Sequence, residues 1–334
     1  MSVVLSMITK DSHRLGEIFT KVLESTLQVP YNPIILVDDS TTEDTRKIVK
    51  DFADKHGKEL IIAGSRDIKN LRPGYYFERP TRAVARQVAI ELFMQNFSNE
   101  WLMFVDDDAV LNPGWWDWVD KHAVLYDGKV GEAWGINWDA DPFRKSFLES
   151  VSIDYTEYLT QKFQVRGGTH DTLYRRKAID GVVIPWELHV YEDAWLHHWV
   201  RCHGWESVIN PVGVTHYSPF RTDLKTQKKQ LELAIYVAFR YGIVEYEISR
   251  EMHALSIIKQ TLGLFRPIIG TPLFAVASVR TYGFAKGFSY ALRRQYLKLW
   301  FRWQVLRNTI KYGRVPDICD VLHNLEQGAS AQAR

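Results

Sequence analysis

Short apolar runs alternate with amphipathic segments along the first third of the chain. A continuous apolar run is typical of a strand buried on both faces of a parallel sheet, whereas apolar residues spaced three and four apart predict a helix. These rules predict strands at 2–9, 33–37, 60–63 and 101–105, and helices at 11–28, 42–56 and 81–97. The alternation predicts an α/β fold with a mostly parallel, doubly wound sheet and right-handed crossovers.

The alternation continues less regularly as far as residue 216. Between its elements, Arg166-Gly167-Gly168-Thr169 predicts a flexible turn whose glycines let the backbone approach a ligand closely. The remaining elements are expected to be helices at 114–126, 147–161 and 191–203, and strands at 133–138 and 208–216.

Two of the predicted strands end directly on carboxylates. Asp38-Asp39 follow the strand at 33–37, and Asp106–Asp108 follow the apolar run at 101–105. Because aspartate is costly to bury without a partner, these residues are expected at the carboxyl ends of their strands, along the edge where α/β sheets bind ligands. Adjacent carboxylates repel each other, and a divalent cation shared with substrate phosphates would relieve that repulsion. The alternative is a solvated acidic turn before the sequence at 112–114.

The composition and charge of the chain indicate two regions. Its 334 residues, 46% hydrophobic and 25% charged, suffice for one large domain or two ordinary ones. Residues 252–334 contain 12 Lys and Arg against 3 Asp and Glu, whereas the remainder has a net charge of −7. We therefore predict an α/β domain at 1–222 and a helical, basic region at 223–334. Two cysteines, Cys202 and Cys319, form neither a disulfide framework nor a metal spacing, which is typical of a reduced cytoplasmic compartment.

The basic region combines cations with apolar residues. A mixed-charge helix is predicted at 226–252, and the longest uncharged run after it, 267–279, is short of the roughly 20 residues that a spanning helix needs. Residues 280–315 carry nine Lys or Arg and no acid, with an apolar stripe of Phe288, Leu292, Tyr296, Leu299, Trp303, Leu306 and Ile310. This pattern predicts peripheral contact with an anionic membrane surface. The alternative is that the stripe packs on the first domain. Nucleic acid is not a predicted partner, because no binding motif accompanies the basic face.

Several short segments between residues 2 and 216 occur in the order and at the spacing of a known family. The first ones are Val4–Thr9, Val37-Asp38-Asp39-Ser40, Ala85-Arg86-Gln87 and Phe104–Asp108. Gly167-Gly168, Arg175-Arg176 and Glu192-Asp193 follow them. Together they resemble the inverting glycosyltransferases of family 2, which have the GT-A fold. The chain departs from that pattern in having Ile8 for a proline, no glycine after Asp39, and Gln87 for an asparagine.

The resemblance implies transfer of a sugar, with inversion, from a nucleoside-diphosphate sugar to an acceptor hydroxyl or phosphate. It implies a Mn²⁺ or Mg²⁺ ion that neutralises the leaving diphosphate. The expected ligands are Asp106, Asp108 and His216, with Asp108 the closer carboxylate. Asp106 has the alternative role of holding the ribose, and His216 that of a strand-end histidine bonded to backbone.

The resemblance also implies a general base within reach of the acceptor. Asp193 is the expected base, and Glu192 is expected to pack or to bond a hydroxyl of the donor sugar. The alternative for both acids is electrostatic stabilisation of a helix N-terminus.

Further residues are expected to hold the donor nucleotide. They are Thr9, Asp38, Asp39 and Arg86, with Asp106, Gly168 and Glu192 also on the donor side. A carboxylate accepts a hydrogen bond from a uracil or guanine N–H, and an arginine reaches base or diphosphate. The alternative for Arg86 is a salt bridge that only organises the edge of the sheet.

The acceptor is expected to be a glycan or a lipid-linked molecule, such as a polyprenyl phosphate, with the enzyme peripheral on the cytoplasmic face of a membrane. Three alternatives remain open. They are a soluble or polysaccharide acceptor, a catalytically silent sugar-binding protein of the same fold, and a glycosidase with a pair of carboxylates.

Overall fold

The computed structural model of the chain describes residues 3–122, 124–140, 143–150, 153–168, 170–217, 224–244, 261–262 and 264–332. The chain forms two compact units, one of Met1–Ala140 with Gly167–Pro219 and one of Asp141–Arg166 with Phe220–Arg334. The last of these divisions lies close to the predicted boundary at residue 222. The sequence pattern does not predict that residues 141–166 group with the C-terminal helices.

One sheet, built from eight strands of the described residues, organises the first unit. The strands are β1 (Val3–Thr9), β2 (Tyr31–Asp38), β3 (Leu60–Ala63), β4 (Trp101–Val105), β5 (Ala109–Leu111), β6 (Val130–Asp139), β7 (Asp171–Arg175) and β8 (Glu206–His216). Their order across the sheet is β3-β2-β1-β4-β7-β6-β8-β5. The predicted strands at the beginning of the chain are confirmed.

The direction of the strands places their ends along one edge. Strands β1 to β4 are mutually parallel, β6 is parallel to β8, and β7 runs antiparallel between β4 and β6. Short β5 runs antiparallel to β8. The carboxyl ends of β1, β2, β4, β6 and β8 therefore share an edge with the amino ends of β5 and β7. This is the edge on which the predicted carboxylates lie.

The described residues contain α-helices in both units. They are α1 (Glu17–Thr26), α2 (Asp44–Lys55), α3 (Ile68–Leu71), α4 (Arg82–Asn96), α5 (Trp115–Lys121), α6 (Phe143–Ser150), α7 (Tyr155–Arg166), α8 (Glu192–Cys202), α9 (Leu224–Tyr241), α10 (Arg266–Tyr282), α11 (Phe284–Tyr312) and α12 (Ile318–Gln332). The helix expected at 147–161 is two helices, α6 and α7. The part of the helix expected at 226–252 that follows residue 244 lies outside the described residues.

Helix α4 illustrates how the sequence determines an element of the first unit. Thr81 begins it as an N-cap, because its Oγ1 accepts a hydrogen bond from the Val84 N–H at 3.4 Å. The helix is buried on most of its surface, which explains its apolar residues on every side. Burial on both faces also makes β4 apolar throughout, and Trp101 to Val105 are all inaccessible to solvent.

The second unit contains a hairpin of α10 and α11. Gly283 ends α10 with a φ of 79° and starts α11. A Cβ on Gly287 would lie 2.2 Å from the Ser278 carbonyl oxygen, so glycine permits the close approach of the two helices. Phe274 stacks on Tyr290 across the hairpin with ring centroids 6.0 Å apart. Helix α9 packs on α11, where Lys228 Nζ donates to Tyr296 Oη at 2.5 Å.

Most of the predicted apolar stripe of α11 is exposed to solvent. Leu306 is buried, but the exposed members are Phe288, Leu292, Tyr296, Trp303 and Ile310. Helix α10 adds a row that the sequence analysis did not single out, formed by Ile268, Ile269, Leu273 and Val276. None of the described helices has the length and apolar character needed to span a membrane.

The expectation of two reduced cysteines is wrong, because neither cysteine is a free thiol.

Candidate active site

The ends of β1 and β2 form the first part of the site. Thr9 Oγ1 donates to Asp38 Oδ1 at 2.7 Å, and Arg46 Nε donates to Asp38 Oδ2 at 2.9 Å. Asp38 is 1% exposed, so this arginine compensates the buried charge. The structure therefore brings Thr9 and Asp38 together. The sequence analysis did not single out Arg46, although its position in the first turn of α2 places it beside the end of β2.

Asp39 points to a different partner. Its Oδ1 accepts from the Ser65 N–H at 2.9 Å, and its Oδ2 accepts from the Ser65 hydroxyl. Ser65 follows β3, the neighbouring strand. Ser65 beside β3 thus orients the carboxylate of Asp39, whereas Thr9 at the end of β1 holds Asp38.

Arg86 joins the end of β4 to the start of α8. Its Nη2 donates to Asp106 Oδ1, and its Nε lies 4.0 Å from Glu192 Oε1. The guanidinium also stacks on Phe104 at 4.6 Å from the ring centroid. Arg86 is 1% exposed, and among the described residues its Nε and Nη1 lack hydrogen-bond partners. A buried guanidinium with unused donors is suited to a ligand as well as to the salt bridge.

Nearby basic side chains control the protonation of Asp106. Burial raises the pKa of Asp106, but the charges of Arg86, Arg82 and His170 outweigh it, so the pKa is lowered from its ordinary value. Asp106 therefore stays ionised. Because Oδ1 of Asp106 accepts from Arg86, a cation at this residue would use the other carboxylate oxygen.

Asp108 and His216 meet where β5 pairs with β8. Ala109 is opposite His216 in the ladder, and the Tyr217 N–H donates to the Asp108 carbonyl oxygen at 2.8 Å. This register puts Asp108 Oδ1 3.0 Å from His216 Nε2. Desolvation lowers the pKa of His216, but the hydrogen bond and charge of Asp108, with Asp106 and Asp139, raise it above its ordinary value.

The middle aspartate of the acidic run, Asp107, contacts the segment after β1 rather than β8. Asp107 Oδ2 accepts a hydrogen bond from the Ser12 hydroxyl. Burial, followed by the charges of Asp108 and Asp106, raises the pKa of Asp107 to about 6 in spite of that hydrogen bond. The three aspartates thus have three different partners, namely Arg86, Ser12 and His216.

Glu192 and Asp193 begin α8 on the same edge. Glu192 is 4% exposed, and its Oε2 has no hydrogen-bond partner among the described residues. Burial and then the charge of Asp193 raise the pKa of Glu192, so this carboxyl favours its protonated form. Asp193 is partly exposed. Two neighbouring carboxyl groups in unlike surroundings are suited to unlike roles.

Gly168 lies beside the end of β4. The Asp106 N–H donates to the His170 carbonyl oxygen at 3.2 Å, which fixes the start of β7 next to Asp106. A Cβ on Gly168 would be 2.4 Å from Cε1 of His170, so only glycine fits over that imidazole. Asp171 follows, fully buried, with Oδ2 accepting from Trp115 Nε1 at 2.7 Å.

The edge therefore collects the residues expected to bind the nucleotide, the metal and the acceptor, but in separate contacts. Among the described residues, no group of three or more His, Cys, Asp or Glu side chains is arranged to hold a metal ion. The pair of Asp108 and His216 is the closest approach between the expected ligands. The edge also has charged residues that sequence reasoning missed, and the signal for Arg82 was its spacing of four from Arg86.

Comparison with known proteins identifies the family. The profile described as glycosyl transferase family 2 matches residues 2–181, which is more than half of the chain. The chain belongs to glycosyltransferase family 2, and it is an enzyme that transfers glycosyl groups. The predicted family is confirmed. A search of curated protein sequences finds no significant match.

One solved structure shares the fold at low sequence identity, and two others are less similar. The mannosyltransferase PcManGT from Pyrobaculum calidifontis, solved with GDP-Man and Mn²⁺, is 16% identical with a TM-score of 0.54, covering 92% of this chain and 86% of that one. S. aureus TarS 1-349 is 14% identical with a TM-score of 0.46, covering 91% and 92%. Glucosyl-3-phosphoglycerate synthase from Mycobacterium tuberculosis is 12% identical with a TM-score of 0.45, covering 75% and 78%. The predicted GT-A fold with C-terminal helices is confirmed.

Proposed function

We propose that the chain is a metal-dependent, inverting glycosyltransferase that moves a sugar from a nucleoside-diphosphate sugar to an acceptor hydroxyl or phosphate. The observation that carries this proposal is the 3.0 Å approach of Asp108 Oδ1 to His216 Nε2 on the edge that also holds Asp38 and the start of α8. One edge thus offers a place for the nucleotide, for the diphosphate and for the acceptor. That PcManGT has this fold and was solved with GDP-Man and Mn²⁺ supports the proposal.

The nucleotide is assigned to the ends of β1 and β2. Asp39, half-buried and held by Ser65, presents carboxylate oxygens of the kind that accept hydrogen bonds from the N–H groups of uracil or guanine. Asp38, buried against Thr9 and Arg46, holds this end of the nucleotide site in place. Fixed acceptors orient the base without further loss of side-chain freedom. Arg86 is assigned to the diphosphate through its unused donors. Asp106, Gly168 and Glu192 border the donor sugar on the same side.

The divalent ion is assigned to Asp108 and His216, with the free carboxylate oxygen of Asp106 as a further ligand. A carboxylate oxygen and an imidazole nitrogen suit Mn²⁺, and oxygen ligands from the diphosphate complete such a site. The residues therefore fit the ion as a partial ligand set. When bound, the ion neutralises charge on the leaving diphosphate as a Lewis acid.

Asp193 is assigned as the general base. Its carboxylate takes the proton of the acceptor hydroxyl while the acceptor oxygen bonds to the anomeric carbon and the bond from that carbon to the diphosphate oxygen breaks. A single displacement of this kind inverts the anomeric configuration. Glu192, held in its protonated form by burial, donates a hydrogen bond to the sugar rather than accepting a proton.

The α10–α11 hairpin is assigned to the membrane surface that carries a lipid-linked acceptor. Ile269 and Phe284 are each 76% exposed and Leu273 is 68% exposed, and residues 280–315 carry nine cations and no acid. Exposed apolar residues close to a run of cations fit the boundary of an anionic leaflet. This assignment makes the enzyme peripheral on a membrane surface.

Binding and turnover test the proposal separately. The thermal midpoint of the protein is measured with UDP-sugars and GDP-sugars, one at a time, with Mn²⁺ and with EDTA. The proposal expects one nucleotide class to raise the midpoint only with the metal, and to release its nucleoside diphosphate on incubation. Stabilisation without release would indicate a silent sugar-binding protein. Cleavage of a glycoside without any nucleotide requirement would indicate a glycosidase and would contradict the proposal.

A further inference from the structure

Four basic side chains of the first unit lie on segments that border the site. Lys10 follows β1, Arg79 precedes α4, Arg82 is its first residue, and His189 lies just before α8. All four are exposed. In the described part of the chain, none of them forms a salt bridge or a hydrogen bond through its side chain.

Hydrogen bonds bring these separate segments together. Thr81, between Arg79 and Arg82, donates from Oγ1 to the Trp186 carbonyl oxygen at 2.8 Å. Tyr75 Oη likewise donates to the Ile184 carbonyl oxygen at 2.5 Å. The segment before α4 is therefore fixed to the loop before α8, which contains His189.

The electrostatics of the cluster agree with this placement. Desolvation and then the charges of Arg82, Arg79 and Lys10 lower the pKa of His189 from its ordinary value. Desolvation also lowers the pKa of Arg82. The charge of Glu192, followed by the charges of the aspartates of the acidic run, outweighs desolvation, so the pKa of Arg82 is raised from its ordinary value. Arg82 thus interacts electrostatically with the carboxylates of the site as well as with His189.

Neighbouring cations that form no salt bridge repel each other, and an anion between them relieves that repulsion. We propose that Lys10, Arg79, Arg82 and His189 form a subsite for a phosphoryl group of the acceptor, separate from the position of the donor diphosphate. Arginine pairs with phosphate through two parallel N–H donors, and lysine adds a point charge. The assignment of this phosphoryl group to the acceptor rests on the proposed function.

The acceptor side is favoured over the donor side by the position of the cluster. His189 is four residues before Asp193, the assigned base, and the hydrogen bond of Thr81 fixes the segment of Arg79 and Arg82 to the same loop. The donor diphosphate has its own candidates in Arg86 and the pair of Asp108 and His216. A phosphoryl group on the acceptor would thus hold that molecule next to Asp193.

The subsite is tested by titrating inorganic phosphate into the full-length protein saturated with Mg²⁺ and with UDP or GDP, whichever binds. We expect the loaded protein to bind phosphate, and Arg79→Gln and Lys10→Gln each to weaken that binding by about tenfold. The affinity for the nucleoside diphosphate should stay within about twofold of the parent. Lys129→Gln is the matched control. Lys129 is an exposed cation just before β6, at the end of that strand away from the site, and its replacement should change neither the phosphate affinity nor the nucleotide affinity.

Two outcomes overturn the inference. If the loaded parent binds no phosphate, the cluster is not a second anion site. If the variants weaken the nucleoside diphosphate instead, the cations belong to the donor. If no nucleotide binds at all, the proposed function fails, and the same phosphate titration on the unliganded protein and its variants still decides whether the cluster holds a phosphoryl group.

Discussion

Asp108 Oδ1 lies 3.0 Å from His216 Nε2 because Ala109 pairs with His216 where short β5 closes on β8. Neither residue is beside the other in the sequence, and the contact depends on an antiparallel pairing at the end of a mostly parallel sheet. Both side chains are about one quarter exposed, so the pair is open to a ligand. A proton on the imidazole competes with a cation for this pair, because a histidine ligand must be neutral.

Replacement of Asp108 by alanine should abolish the part of nucleoside-diphosphate binding that depends on metal. Loss of a direct ligand is expected to weaken metal-dependent affinity by more than about tenfold, since loss of groups that only orient ligands costs roughly that much. The measurement is calorimetric titration of the nucleotide with Mn²⁺ and with EDTA. Asp120→Ala, at an exposed position of α5, is the control. Equal affinity of Asp108→Ala and the parent in both buffers would remove Asp108 from the metal site.

Replacement of Asp193 by asparagine should keep donor binding and lose turnover. A positioned base contributes roughly 10²–10⁴ in rate, so kcat should fall by that factor while the nucleotide affinity stays near that of the parent. Initial rates and calorimetry on the same preparation measure both. The companion variant is Glu192→Gln, which removes the neighbouring carboxyl. A near-normal kcat for Asp193→Asn with a large loss for Glu192→Gln would reassign the base to Glu192.

The sequence predicted the parallel part of the sheet well, because strands buried on both faces appear as continuous apolar runs. It did not predict β7, whose sequence Asp171-Thr172-Leu173-Tyr174-Arg175 is polar at several positions. Those residues are all buried, and Trp115 is a hydrogen-bond partner of Asp171. A strand with buried polar side chains at several positions has no apolar signature. Strand β5 is three residues long, too short for any periodicity to show.

The candidate site residues were expected along one edge of the sheet, where the structure places them, but their contacts were not predicted. Carboxylates at strand ends follow from the chain order and from the direction of parallel strands. That Asp106 pairs with Arg86 and Asp108 with His216 depends on register and on the loop at the end of β4, which periodicity does not specify. The cations Lys10, Arg79 and His189 come from three separate segments, so only the folded chain shows them together.

The buried carboxyl of Asp171 should make the stability of the protein depend on pH. Burial raises the pKa of Asp171 to about 7 in the folded protein, against the hydrogen bond from Trp115, whereas the unfolded chain has an ordinary value of about 3.9. Between these values the folded state binds more protons than the unfolded state. The free energy of unfolding should therefore fall as the pH rises from about 4 to about 7, by a few kcal/mol from this group.

Asp171→Asn isolates this contribution, because the amide oxygen still accepts from Trp115 Nε1 and does not ionise. Urea unfolding at pH 4.5 and pH 7.5 should show a smaller loss of stability in Asp171→Asn than in the parent. Asp180→Asn, an exposed position after the same strand, should follow the parent at both pH values. If Asp171→Asn and the parent lose the same free energy between the two pH values, the carboxyl of Asp171 does not titrate in this range.

The α10–α11 hairpin should bind anionic vesicles through its cations and through its exposed apolar row. Each cation near an anionic surface contributes about 1 kcal/mol, and this part fades in salt, whereas the apolar part does not. The charge-reversal variant changes Arg293, Arg294 and Lys298 to glutamate and leaves the apolar row intact. Its flotation with anionic vesicles should fall strongly at low salt and differ little from the parent at high salt.

The control for this prediction carries the same change in net charge on the other unit. Lys47, Lys50 and Lys55 are exposed on α2, and their reversal to glutamate should leave flotation close to that of the parent. A second variant, Ile269→Glu with Leu273→Glu, removes the salt-insensitive part and should lower flotation at every salt concentration. If neither variant of the hairpin reduces flotation more than the α2 control does, the exposed row and its cations do not form a membrane contact, and the lipid-linked acceptor loses its main support.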